Sequence, residues 1–236
     1  MSLATRILSI IVILAATNSS VSHAGLLELD DVFTPVGEPG IYIQGNTAAS
    51  FLQLESGGYN DRGDFFNTGD SQSGAIGLGG AIGTYKHYER FRLRLEAEGM
   101  WRGDSTDITN SYPVPPPFFY HVQSEQNWSA MANLWFDVPL RDRLSVYAGG
   151  GIGAAGTHLT VYDTEVFGQG SNVNFAYQLG TGLILPVGEN VELDLGYRFL
   201  DAGQASVALY DPTPVGNYTA DLTSHQIMFS VRLKLR

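Results

Sequence analysis

A chain of 236 residues has room for one domain and a targeting segment, and a net charge of −11 argues against a nucleic-acid partner. The absence of cysteine excludes disulfide staples and thiolate metal sites. Twenty-eight glycines and 11% aromatic residues, with only 16% charged residues, suit the wall of a β-barrel better than an ordinary globular domain.

Residues 1–24 read as a signal peptide. Arg6 supplies the basic start, Ile7 to Ala16 the apolar run, and Ser22-His23-Ala24 the small-residue site, so cleavage is expected after Ala24. The apolar run is too short to cross about 30 Å of hydrocarbon as a helix. Residues 25–39, with Pro35 and Pro39, read as a periplasmic linker, which leaves 40–236 as the barrel.

From Ile41 onward the apolar pattern has period two, the mark of a strand with two different faces. Eight strands are expected: Ile41 to Gln53, Gly74 to Tyr85, Phe91 to Arg102, Trp128 to Val138, Leu144 to Thr157, Val173 to Leu185, Val191 to Phe199 and Ile227 to Leu235. Three are sharp. Phe91, Leu93, Leu95, Ala97, Gly99 and Trp101 alternate with Arg92, Arg94, Glu96, Glu98 and Arg102. Val191 to Phe199 and Ile227 to Leu235 repeat that alternation. The Gly-rich strands around GAIGLGGAIG and AGGGIGAAG define their own register weakly. Short connections (85–90, 139–143, 186–190) alternate with long ones (56–73, 103–126, 158–172, 202–223), as in a barrel with turns at one rim and loops at the other.

Parity alone does not say which face meets lipid. The signal peptide, the aromatic spacing and the charge balance do. Phe91 and Trp101 bracket one apolar face, and at about 3.3 Å per residue and a tilt near 40° they stand roughly 25 Å apart along the membrane normal. Trp128 with Phe136, and Tyr197 with Phe199, extend this aromatic girdle. The polar parity carries Arg92, Arg94, Arg102, Arg198, Arg232 and Lys234 against Glu96, Glu98, Asp137, Glu192 and Asp194, a near-neutral set suited to a closed lumen. The expected architecture is an all-β, transmembrane, antiparallel up-and-down barrel of eight strands, whose lumen side chains just fill.

The segments LDLGYRFLD (193–201) and LTSHQIMFSVRLKL (222–235), with VYAGGGIG (146–153) and LILPVGENVELDL (183–195), resemble the small outer-membrane β-barrel proteins of the opacity-protein and surface-antigen type, often called porins. The resemblance implies a Gram-negative outer membrane, surface exposure, and insertion by the barrel-assembly machinery through a C-terminal aromatic. This chain departs from that ending with Leu235-Arg236, and Phe229 is the nearest aromatic.

No catalytic set, cofactor site or metal site is expected. Lipid-A deacylases of this size carry a His-x-Ser pair, and His158-Leu159-Thr160 has the wrong hydroxyl residue. Ser224 and His225 are adjacent and point to opposite faces of a strand. The long connections hold Asp61, Asp64, Asp70, Asp104, Asp107, Asp163, Glu165, Asp211 and Asp221, read as solvation. Arg62-Gly63-Asp64 is an RGD triplet, read as a weak adhesion motif, and 112–120 (YPVPPPFFY) is a proline-rich stretch. The expected function is a non-enzymatic surface barrel with a side-chain-filled lumen and acidic extracellular loops. Its partners are outer-membrane lipids including lipopolysaccharide, the assembly machinery and an unidentified surface or host ligand. The alternatives are a narrow porin and a lipid-A-modifying enzyme.

Overall fold

The structure is a computed structural model that describes residues 34–61, 64–112, 118–141, 143–162 and 165–235. Residues 1–24, read as a signal peptide with cleavage after Ala24, lie outside the described residues. Among the described residues nine strands form one antiparallel sheet: β1 (Pro35–Asp61), β2 (Asp64–Tyr88), β3 (Arg92–Arg102), β4 (Ser105–Tyr112), β5 (Phe118–Arg141), β6 (Leu144–Tyr162), β7 (Phe167–Pro186), β8 (Val191–Asp211) and β9 (Thr213–Leu235). Their order is β3-β2-β1-β9-β8-β7-β6-β5-β4, and a further β3–β5 pairing, from Arg92↔Asp137 to Arg102↔Asn127, closes the ring. β4 follows β3 along the same neighbour, β5, so the two share one wall position and the barrel has eight walls. Closure leaves no open edge for lipid to meet.

The strands run well past their expected ends. β1 starts at Pro35, inside the segment read as linker, and pairs with Tyr88. The four long connections are mostly strand: β8 reaches Asp211 and β9 begins at Thr213. From Asp201 to Asp211 the wall rises roughly 25 Å further along the normal. The reason these parts looked like loops is composition. They are rich in Asn, Asp and Gly, which have low strand propensity, and the ladder holds them rather than propensity.

Bulges in β5 and β8 mark the change of level, and β1 and β4 carry further register shifts there, between Glu55 and Gly58 and between Ser105 and Ile108. In β5 one extra residue sits between Glu125↔His158 and Trp128↔Gly156, with Gln126 at φ 52°. In β8 one sits between Asp201↔Thr223 and Gln204↔Asp221, with Gly203 at φ 73°, a conformation glycine adopts without strain. In both, an Asp takes up a backbone amide at the bulge: Gln126 N donates to Asp104 Oδ1 at 3.3 Å, and Gly203 N to Asp201 Oδ1 at 2.9 Å.

An odd-numbered insertion reverses the faces. In β8, Leu195 and Tyr197 face outward below the bulge, while Val207 and Leu209, of the same parity, face inward above it. In β5, Trp128 and Leu134 face out, and Val122 faces in. Below the bulges, then, the outside is apolar. Above them the inside is.

The wall has a seam between β7 and β8. β7 and β8 pair from Tyr177↔Asp201 to Pro186↔Glu192 and again at Phe167↔Tyr210, with no ladder pairs between. Side chains bridge the gap: Asn174 Nδ2 donates to the carbonyls of Ala202 and Gln204 at 3.2 and 2.8 Å, and Ser206 N donates to Asn172 Oδ1 at 3.0 Å.

The Gly-rich strands take their register from rings laid across them. Tyr147 covers Gly182 and Gly196, and Tyr42 covers Gly83. A Cβ on Gly182 would stand 2.6 Å from both the Tyr147 ring and the Cα of Gly196. Gly182→Val is therefore expected to cost about 1–3 kcal/mol, read as a lower urea midpoint of the refolded barrel. Gly99→Val, where a Cβ meets nothing within 4 Å, is the matched control.

Candidate functional site

The inward parity of β3, β5, β8 and β9 brings the charged side chains together. Arg92, Arg94, Glu96, Glu98, Arg102, Asp137, Glu192, Asp194, Arg198 and Arg232 are all buried, and Lys234 is half-buried at the rim of short turns. Glu192 is the hub. Arg92 donates to both its oxygens at 2.8 and 2.9 Å, Arg232 Nη1 donates at 2.7 Å, and Lys234 Nζ lies at 2.6 Å. Asp137 accepts from Nε of Arg92 and of Arg94, each at 2.8 Å. Arg232 also reaches Asp194 at 3.1 Å, Arg198 pairs with Glu98, and Arg94 lies 3.7 Å from Glu96.

Neutral residues complete the network. Glu96 accepts from Tyr42 (2.9 Å), Asn133 (3.1 Å) and Trp135 (3.2 Å). Glu98 accepts from Asn46 and Gln178, Asp194 from Tyr147, and Gln44 from Arg232. Four guanidinium groups lie over aromatic rings: Arg92 on Tyr85, Arg94 on Tyr147, Arg198 on Trp135 and Arg232 on Tyr42, at 5.0–5.5 Å from the centroids. Sequence reasoning missed these polar and aromatic partners. Their signal was present: Tyr42, Gln44, Asn46, Asn133, Trp135, Tyr147 and Gln178 occupy the same inward parity as the charges.

Above this layer the interior changes character. Leu54, Val122, Leu159, Val161, Ala205, Val207, Leu209, Tyr218, Ala220 and Leu222 form one buried apolar cluster. It lies in the part of the barrel that was expected to be loop, and no sequence expectation covered it. Between the two layers sits a cavity of about 30 Å³ beside Arg102, walled mainly by apolar side chains.

The outer face carries the aromatics. Phe91 and Phe136 stand near the short turns with ring centroids 6.0 Å apart, and Phe91 stacks on Tyr88 at 4.7 Å. Trp101 and Trp128 are register partners at the upper level. Tyr197 and Phe199 join them there with His225, whose Nδ1 is 2.5 Å from the Tyr197 hydroxyl. Between these levels Ile43, Ile82, Leu95, Leu134, Leu183, Leu195 and Val231 are exposed. Phe229 faces outward on β9, which ends at Leu235.

The other candidates separate. Ser224 faces inward, bonded to Ser50 at 2.9 Å, while its neighbour His225 faces out. His158 Nδ1 lies 2.9 Å from Ser171 Oγ on the outer surface, and among the described residues no carboxylate is hydrogen-bonded to His158. Asp70, Glu165, Asp211 and Asp221 are exposed, as is the Asp104 that serves the β5 bulge. Asp61 pairs with Asp64 across the β1–β2 tip, where Arg62 and Gly63 of the RGD triplet lie outside the described residues. So do Asp163 and residues 113–117 of the proline-rich stretch, between Tyr112 and Phe118.

A family profile described as "Outer membrane protein beta-barrel domain" matches residues 35–232. Outer membrane protein PagN of Salmonella typhimurium is 28% identical over 192 residues, covering 74% of this chain and 80% of PagN. An uncharacterised protein of Brucella suis is 28% identical over 228 residues, covering 82% of this chain and 80% of its own length. Among solved structures, neisserial surface protein A matches with 17% identity and a TM-score of 0.44, covering 84% of this chain and 100% of that one.

Proposed function

The chain belongs to the outer membrane protein β-barrel domain family, and from that premise we propose that it is a sealed, non-enzymatic surface barrel that presents rigid hairpins outside the cell. It resides in the outer membrane. The observation that carries the reading is the filling of its interior: buried ion pairs in the membrane-level half and apolar side chains in the half above. A solute path would have to break hydrogen-bonded charges in one layer and part close-packed side chains in the other.

The exposed apolar band between the aromatic levels is the surface for outer-membrane lipids. Lipopolysaccharide headgroups would meet the wall just above it, and the assembly machinery would read the outward C-terminal strand with Phe229. A surface or host ligand would meet the hairpin tips and their acidic side chains. The non-enzymatic reading rests on Ser224 and His225 facing opposite ways and on His158, which bonds Ser171 and, among the described residues, no carboxylate, although Glu125 is its partner across the β5–β6 ladder.

The experiment is conductance of the refolded protein in planar bilayers. The expected record is flat, with leakage no greater than the empty membrane. Reproducible single-channel steps would overturn the sealed-lumen reading in favour of the narrow porin.

A further inference from the structure

We propose that the cavity between the two interior layers is a binding site for a small monovalent anion, of halide size, held by Arg102. Arg102 is 5% exposed, and among the described residues it is the one lumen cation with no carboxylate within 4 Å. The five lumen carboxylates are all engaged by the other five cations. A buried charge without a counter-charge is costly, so an anion that fits beside it binds favourably.

The donors are countable. With the Gln226 amide turned so that its oxygen faces the guanidinium, Arg102 Nε and Nη2 donate to it at 2.9 and 3.0 Å. Nη1 donates to Ser129 Oγ at 3.1 Å. A guanidinium has five N–H groups, so two remain. Arg102 lines the cavity with Ser50, Ser105, Asn127, Thr157, Asn174 and Ser224, the rest of the wall is apolar (Leu52, Trp128, Leu200 and Leu222 among it), and among the described residues no carboxylate lines it. Ser50 and Ser224 share one hydrogen bond of 2.9 Å, and with the amide so turned its oxygen lies 3.3 Å from the Ser224 hydroxyl and accepts from it. Ser105, Thr157 and Asn174 spend their donors on Ser124 and on the carbonyls of Ala202 and Gln204, so the two remaining Arg102 N–H groups are the charged donors left for a ligand in this space.

Size selects the ligand. The cavity, about 30 Å³, exceeds the roughly 10–15 Å³ that a single water needs. It suits a halide ion or a pair of waters, and it is too small for a phosphate or a carboxylate-bearing solute. Entry has a route: the cavity wall at Asn174 is part of the β7–β8 seam, where side-chain bridges stand in for ladder bonds.

The test uses the refolded full barrel, unfolded in urea at constant ionic strength in sodium chloride, sodium bromide or sodium gluconate. The expected result is a saturable rise of the midpoint with halide. The folded-to-unfolded ratio gains about tenfold once halide reaches ten times its Kd, and gluconate has no effect. Gln226→Glu sets a carboxylate against the same N–H groups and should make unfolding independent of halide. In crystals grown with bromide, anomalous scattering should place one ion beside Arg102. Equal unfolding in all three salts, a halide effect that persists in Gln226→Glu, or a cavity holding water alone would each overturn the proposal. Conductance decides the sealed lumen and halide dependence decides this site, so the two can fail separately.

Discussion

Glu192→Leu is expected to cost about 3–5 kcal/mol of unfolding free energy, the range for removing one partner of a buried ion pair. Glu192 holds Arg92 by two hydrogen bonds, Arg232 by one and Lys234 at the rim. Leucine takes away the charge and every acceptor at once. Arg92 retains Asp137, and Arg232 retains Asp194 and Gln44, so the network is weakened at its hub and not abolished. Urea titration of the refolded barrel in short-chain lipid vesicles measures the loss. A loss under about 1 kcal/mol, the worth of an exposed pair, would mean that water reaches these charges and that the lower lumen is not sealed.

Leu195→Arg should cost about 2–4 kcal/mol in lipid, because Leu195 lies 55% exposed midway along the apolar outward face of β8. Thirteen residues later, Ala208 also faces outward and is exposed, but it stands above the bulge. Ala208→Arg should change stability by no more than about 0.5 kcal/mol, the usual effect of a surface substitution. The pair tests the placement of the bilayer, since strand, direction and introduced side chain are the same. Equal costs at both positions would remove the bulge as the membrane boundary.

Much of the wall was legible in the sequence. The alternation of Arg92 to Arg102, of Val191 to Phe199 and of Ile227 to Leu235 gave strand positions, and the eight walls close as that pattern requires. The charged parity turned inward for the reason given by its composition: lipid tolerates Leu95 and Leu195 and not Arg94 or Asp194. Two things were hidden. The lumen's neutral partners, such as Trp135 and Tyr147, look like wall aromatics until their neighbours establish parity. In β5, Trp128 and Phe136 are even-numbered and outward, so odd-numbered Trp135 had to be inward.

The upper apolar core was hidden by phase. Val207 and Leu209 continue the odd-numbered apolar series of Val191 to Phe199, yet face the opposite way. A period-two reading carries no mark for an extra residue when the residue is Gly203 or Gln126 in a polar stretch. The clue lay in the acids, since Asp104 and Asp201 accept from the amides at those bulges. Asp104 reads as an ordinary loop acid, and Asp201 as the end of the segment 193–201.

The bulges also set the arithmetic by which this surface can diversify. Above Gln126 and Gly203 each hairpin is a two-sided ribbon whose inner side is already committed to the apolar cluster. Adding one residue to each arm lengthens a hairpin without disturbing the strands below. Adding a single residue to one arm reverses that arm, turning Val207 and Leu209 to water. Length variation among relatives should therefore accumulate in paired steps above the bulges and be nearly absent below them, where lipid, lumen and register fix every residue at once. The membrane anchor and the exposed hairpins are thus separate units of change along the same eight walls.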